Sequence, residues 1–300
     1  MKALKELIHH LEQQPSKRIV IAQAADYEVL RAVKQALDLG IASFLLTGNQ
    51  TKIRDMAVES GIDIESSEVE LLDCPEDQSA NEAVKAVSEG KAHVVMKGHI
   101  DTKALLKAVL NKEYGLRTGR VLSHVALFEV PNQERMIFLT DSAMNISPTL
   151  EEKSQIINNA VDVAIRSGWV RPKVAMLAAV EVVNPSMQAT IDAAALTQMN
   201  RRGQIKDCVV DGPLAFDNAV SKEAAVQKGI ESEVAGAADI LVVPTIEVAN
   251  ALYKSFMYFA DARVAGIISG AKAPIVLTSR SDSAESKVYS LALALRSSTN

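Results

Sequence analysis

Three stretches of the 300-residue chain hold residues whose types and spacing suit the handling of an anion. In IVLTSRSDSAESK, residues 275 to 287, Ser279 and Arg280 follow an apolar run and precede a helical pattern. A guanidinium fork, a hydroxyl and the unpaired N–H groups of a helix start would meet there, which suits a phosphate or a developing oxyanion. In VVMKGHIDTKALL, Lys97 and Gly98 leave a strand, and Asp101 and Thr102 stand where the next helix opens. A lysine, a backbone freed by glycine and a threonine hydroxyl can hold a phosphate oxygen; the plain alternative is a helix capped by Asp101 or Thr102 beside a solvated Lys97. In GLRTGRVLSH, Arg117 and Arg120 bracket Thr118 and Gly119, two guanidiniums for a phosphorylated ligand or two surface arginines on a turn.

Other reactive residue types read as structural. His124, among strand apolars in LSHVAL, has the setting of a satisfied core histidine rather than of an acid or base. Asp282 with Glu285 three residues on reads as a helix cap, ahead of Val288, Leu291, Ala292 and Leu295 at helical spacing. Asp141, Asp211, Asp217 and Asp239 stand near strand ends but form no dense ligand set, so no metal site is expected. Cys74 and Cys208 lie far apart without partners at metal-ligand spacing and read as buried thiols. Neither G-x-x-x-x-G-K-[ST] nor a G-x-G-x-x-G after the first strand occurs, which removes the main support for a nucleotide-triphosphate or dinucleotide fold.

The elements that must position these groups alternate. RIVIAQA (18 to 24), IASFLLTG (41 to 48), VELLDC (69 to 74) and AHVVMKG (92 to 98) are short, apolar strand patterns separated by helical ones, which implies a parallel sheet covered by helices. RVLSHVALFEV and ERMIFLTD are separated only by PNQ, too close for a helical crossover, so an antiparallel pair is expected there. Strand and helix patterns then alternate again through KVAMLAAVE, SMQATIDAAALTQMNRRG, DCVVDG, ADILVVPT, the helix around VANALYKSFMYFA and the strand APIVLTS, to a last helix. The expected plan is α/β with two domains, residues 1–120 plus 267–300 and residues 121–266.

Hydrophobic residues make up 48% of the chain and charged ones 23%, with a net charge of -5. Basic residues are scattered, which argues against a nucleic-acid surface. The charged N-terminus reads as an amphipathic helix, and no apolar run approaches the roughly 18 to 20 residues that cross a bilayer. A cytoplasmic protein with a small-molecule ligand or a second subunit as partner is the expectation.

MKGHIDTKALLKAVLNKEYGLRTG, LSHVALFEVP, TDSAMNISPTLEEK, VDGPLAFDNA, ADILVVPTIEVANALYKSFMYFA and PIVLTSRSDSAESK together resemble the phosphate acetyl/butyryl transferase family, in the same order and over most of the chain. The wording of KGHIDT, TDSAMNISPTL and LTSRSDS is more similar to the butyryl branch than to the acetyl one. The resemblance implies two α/β domains with a cleft between them, as in isocitrate and isopropylmalate dehydrogenases. It also implies a homo-oligomer and reversible transfer of a short-chain acyl group, butyryl-CoA plus phosphate giving butyryl phosphate plus coenzyme A. Coenzyme A is then a substrate, and no tightly bound cofactor is implied. By the same resemblance Ser279 and Arg280 are the catalytic pair, and Gly98, Thr102 and Tyr253, the last in an N-x-x-Y-K segment, serve the phosphate or acyl phosphate, with Lys97 beside them as the residue reading expects. Arg117 and Thr118 serve coenzyme A. The aspartate that the acetyl branch has as a base corresponds to Ser286 here. Three alternatives stay open: a phosphate acetyltransferase, a metal-dependent dehydrogenase on the same fold, and a non-catalytic coenzyme A-binding protein.

Overall fold

The computed structural model describes residues 1–11, 17–277 and 283–299. It divides into two compact units, one of Leu4–Arg120 with Ala265–Asn300, the other of Val121–Val264 with Met1–Ala3. The first unit opens with α1 (Lys5–Leu11), β1 (Lys17–Ala22), α2 (Tyr27–Asp38), β2 (Ala42–Gly48), α3 (Gln50–Glu59), β3 (Val69–Asp73), α4 (Ser79–Ser88), β4 (Val94–Lys97) and α5 (Thr102–Val109). The second runs through β5 (Ser123–Glu129), β6 (Ile137–Thr140), α6 (Leu150–Arg166), β7 (Lys173–Leu177), α7 (Gln188–Arg201), β8 (Val209–Leu214), α8 (Phe216–Val220), α9 (Lys222–Gln227), β9 (Ile240–Val242) and α10 (Ile246–Phe259). β10 (Arg263–Ser269), β11 (Ile275–Val276) and α11 (Ala284–Ser297) end the chain.

In the first unit the strand order is β3-β2-β1-β4-β11, all parallel, with β10 antiparallel beside β11. β2 is buried along its whole length, as a strand covered on both faces must be, and its residues ASFLLTG accordingly show no polar alternation. α2 buries Val29, Leu30, Ala32, Val33 and Ala36 on one stripe, and Asp26 caps it by accepting from the Val29 N–H. α11 is apolar nearly all round and buried accordingly, from Val288 to Leu295. Lys17 ties down its last turn by donating to the carbonyls of Leu295 and Ser298.

In the second unit the order is β5-β6-β9-β7-β8. β5 and β6 are antiparallel, joined across the Pro-Asn-Gln turn, and the other neighbours are parallel. Phe128, Leu139, Leu177, Leu214 and Leu241 form its core. α6 starts on a reciprocal cap, in which the Thr149 hydroxyl accepts from the Glu152 N–H and the Glu152 carboxylate accepts from the Thr149 N–H.

Four features differ from the sequence expectation. α11 begins at Ala284 and is capped by Ser283, whose hydroxyl accepts from the Ser286 N–H, while Asp282, the cap expected from the Asp-x-x-Glu pattern, lies outside the described residues. The strand expected over APIVLTS is only Ile275–Val276. β10 was hidden because Gly266 interrupts an apolar run that follows directly on an apolar helix. α8 and α9, of five and six residues, are too short to display a helical period.

Candidate functional site

Two groups of side chains stand at the carboxyl ends of parallel strands, the edge where open α/β sheets collect ligands. In the first unit, the turn after β4 rests on the turn after β1. Gly98 donates its N–H to the Ala22 carbonyl at 2.9 Å, and His99 donates to the Gln23 carbonyl at 2.7 Å. A Cβ on Gly98 would lie 2.1 Å from that Gln23 oxygen, so this approach admits no side chain. Gln23, with φ of 59°, is itself buried. Its N–H donates to the Ser79 hydroxyl, which shares a 2.7 Å hydrogen bond with that of Thr47. The turns after β1 and β4, the end of β2 and the start of α4 are thus one connected piece.

Around that piece the charges are mostly spent on structure. Asp101 caps α5, accepting from the N–H groups of Lys103 and Ala104, which leaves Thr102 as the exposed first residue of the helix. His99 pairs with Asp26 at 3.3 Å. Lys52 donates to Glu76 and, with His99 nearby, holds that carboxyl below the usual range. Lys97 and Gly98 close the strand and Thr102 opens the helix, so the three residues expected on the phosphate side share one short segment. Lys97 Nζ reaches the Gly98 carbonyl at 3.4 Å. β11 runs parallel to β4, so its carboxyl end lies at the same edge. Ser279 and Arg280 follow it in sequence and lie outside the described residues.

Arg117 and Thr118 are exposed. The Thr118 hydroxyl donates to the Gly270 carbonyl and accepts from the Arg120 N–H at 3.2 Å, so it fastens its own loop. The Arg117 guanidinium has no hydrogen-bond or ion-pair partner among the described residues.

In the second unit, β6 and β9 end side by side, and the ladder with β5 sets His124 beside Asp141 and Ser142. The buried Asp141 carboxylate accepts from five donors: the N–H groups of His124, Ala143, Met144 and Asn145, and the Asn145 side-chain amide. It organises the loop and has no lone pair left for the imidazole. His124 Nδ1 lies 2.6 Å from the Ser142 hydroxyl, and the Tyr253 ring on α10 is 6.1 Å away between centroids. Burial pushes His124 down from its ordinary value, with the Asp141 charge opposing. Tyr253 also packs edge-on against Phe128. The histidine read as a core residue is in fact half-buried and stands at this edge. The sequence held one signal for it, the Thr-Asp-Ser segment at the end of the facing strand.

Elsewhere, a cavity of about 790 Å³ lies at the amino end of β8, lined by charges of both signs that include Arg171, Arg201, Asp207 and Glu233. Burial pushes the Cys208 thiol up to about 12, which leaves it unreactive near neutrality. Among the described residues no group of three or more His, Cys, Asp or Glu is placed to hold a metal ion, and no helix is long and apolar enough to cross a membrane.

The model of the family described as "Phosphate acetyl/butaryl transferase" matches residues 3–82 and 76–295. A relative from Bacillus subtilis named "Probable phosphate butyryltransferase" is 56% identical over 292 residues, 97% of each chain. The phosphate butyryltransferase of Clostridium beijerinckii is 49% identical over 98% of this chain and 97% of its own. The crystal structure of a branched-chain phosphotransacylase from Enterococcus faecalis V583 superposes with a TM-score of 0.81 at 38% identity, covering 94% of this chain and 98% of that one.

Proposed function

The chain belongs to the phosphate acetyl/butyryl transferase family, and from that premise we propose that it moves a short-chain acyl group between coenzyme A and phosphate, butyryl being the preferred one. The observation that carries this reading is identity to named phosphate butyryltransferases over nearly the whole of both chains. At 38% identity, the likeness to a branched-chain phosphotransacylase supports the same chemistry and puts branched acyl groups among the substrates to assay.

The reaction asks little covalent work of a protein. An oxygen of hydrogen phosphate bonds to the thioester carbon, the carbon–sulfur bond breaks, and sulfur leaves with the electron pair. The proton brought by hydrogen phosphate balances the departing thiolate. The task is orientation and the holding of charge. In our reading Arg280 grips phosphate oxygens with its fork while Ser279 and Thr102 donate hydrogen bonds. Gly98 lets the backbone turn closely after Lys97, whose charge draws the anion, and Tyr253 lies against the acyl phosphate. Arg117 and Thr118 meet the phosphates of coenzyme A, which enters as substrate with no resident cofactor. Burial raises the thiols of both Cys74 and Cys208, which favours direct transfer over an acyl-cysteine intermediate. A cytoplasmic homo-oligomer completes the proposal, and sedimentation measures the assembly.

The test is thiol release from acetyl-, propionyl-, butyryl- and isobutyryl-CoA with phosphate, for the wild type and for Arg280→Ala. The expected result is release that is fastest with butyryl-CoA. One methylene changes the preference by only roughly 1 to 3 kcal/mol, so neighbouring chain lengths should also react. Arg280→Ala should lower turnover about a hundredfold or more, and Arg280→Lys should rescue poorly for lack of the fork. Binding of acyl-CoA without thiol release would end the reading, and unchanged turnover in Arg280→Ala would remove that residue from it.

A further inference from the structure

The hydrogen bonds around His124 leave one ring nitrogen uncommitted. Its Nδ1 meets the Ser142 hydroxyl at 2.6 Å, and that hydroxyl has no other partner among the described residues. A serine hydroxyl can give or take this hydrogen bond; in the arrangement where Ser142 donates, Nδ1 is the acceptor and the imidazole hydrogen sits on Nε2, the tautomer that nitrogen-15 spectra read directly. Nε2 has no partner among the described residues, although Nδ1 is tied down and the ring is half-buried.

The groups facing this ring decide between a base and a donor. Asp141 on the β6 side uses its carboxylate on backbone N–H groups and the Asn145 amide, and so does not brace the ring as a carboxylate braces a catalytic base. From α10 comes the ring of Tyr253. Burial favours the neutral imidazole, against the pull of Asp141. A neutral imidazole with its proton on the open nitrogen is suited to polarise a carbonyl.

We propose that His124 is a further catalytic residue, whose Nε2–H donates a hydrogen bond to the acyl carbonyl oxygen as negative charge builds there, with Ser142 as the positioning residue that fixes the tautomer. The inference rests on the acyl-transfer reading above. His124 keeps its proton throughout, and the bonds made and broken are those between phosphate, acyl carbon and sulfur. Its place at the carboxyl end of β6 and β9 supports this role, because ligands gather at that edge.

The test combines kinetics with nitrogen-15 spectra of the imidazole. His124→Ala should lower kcat with butyryl-CoA and phosphate about 100- to 1000-fold, with KM changed less than about threefold, because the bond strengthens only in the transition state. His124→Gln, whose amide N–H can reach the same point, should recover about tenfold or more of that loss. In the wild type the spectra should show Nε2 protonated and Nδ1 as an unprotonated acceptor, and Ser142→Ala should mix the two tautomers. Wild-type kcat in His124→Ala, a change confined to KM, or a proton found on Nδ1 would each overturn the inference while leaving acyl transfer intact. Should the alanine variant not fold by circular dichroism, the glutamine variant and the wild-type spectra decide. A wild type that releases no thiol from any acyl-CoA would remove the reading, and the role of His124 with it.

Discussion

At the sheet edge of the first unit, Gly98 lies against the Gln23 carbonyl and Thr102 is left exposed at a helix start. At the corresponding edge of the second, Asp141 is buried under five donors, and a half-buried histidine keeps one nitrogen open. Both edges hold an aspartate bonded to backbone N–H groups, Asp101 as a helix cap and Asp141 as the anchor of a loop. In both the carboxylate builds the turn and spends its lone pairs on backbone N–H groups. An acidic residue near a strand end therefore says little about chemistry until the destinations of its lone pairs are known.

Three measurements break or sharpen that contrast. Asp141→Ala strips a buried loop of its one shared acceptor and should cost at least about 3 kcal/mol, since each hydrogen bond to a charged group contributes about 1.5 to 3 kcal/mol and the orphaned N–H groups stay buried. Denaturant midpoints at neutral pH measure it, and a cost below about 1 kcal/mol would show that the loop holds its shape without the carboxylate. Gly98→Ala must move the β4 turn off the Gln23 carbonyl, for a cost of about 1 to 3 kcal/mol. Turnover should fall with it if the turn serves phosphate, and a variant equally stable and active would dissolve the link between the two turns.

The smallest effect is pH dependence at His124. Its folded value is lowered, so the unfolded chain binds the proton more readily. The resulting stability is present above about 6.5 and is lost as pH falls through that range. The denaturant midpoint should therefore drop between pH 7 and 5, and drop less in His124→Gln. Equal slopes would place the acid sensitivity elsewhere.

Much of the architecture could be read from residue order. The β-branched run Ile19–Ile21 marks β1, the apolar run closed by Gly48 marks β2, the stripe of Val29 and Val33 marks α2, and the short Pro-Asn-Gln spacing forces the β5/β6 hairpin, because each is a local pattern with a local cause. The helix cap was legible only to within a residue. Ser283, a hydroxyl residue as suited to capping as the Asp282 next to it, is the cap, and α11 buries Lys287, Val288 and Leu291 behind it. α8 and α9 form because Asn218, Ala219 and Ala225 are buried by distant elements, not because five or six residues hold a helix by themselves.

For the site, sequence determined which residue types were on hand: the Lys97–Thr102 segment, Arg117, the Ser279–Arg280 pair, and a family likeness running the length of the chain. It also determined that Gly98 would be small, though not what it would touch. Tertiary structure alone decided that the Gly98 turn rests on the Gln23 carbonyl 75 residues away, and that Ser142 meets His124. Sheet pairing sets such meetings between residues far apart in order, and a hydrogen bond exists only where two atoms come within about 3 Å, a condition that no residue type carries on its own.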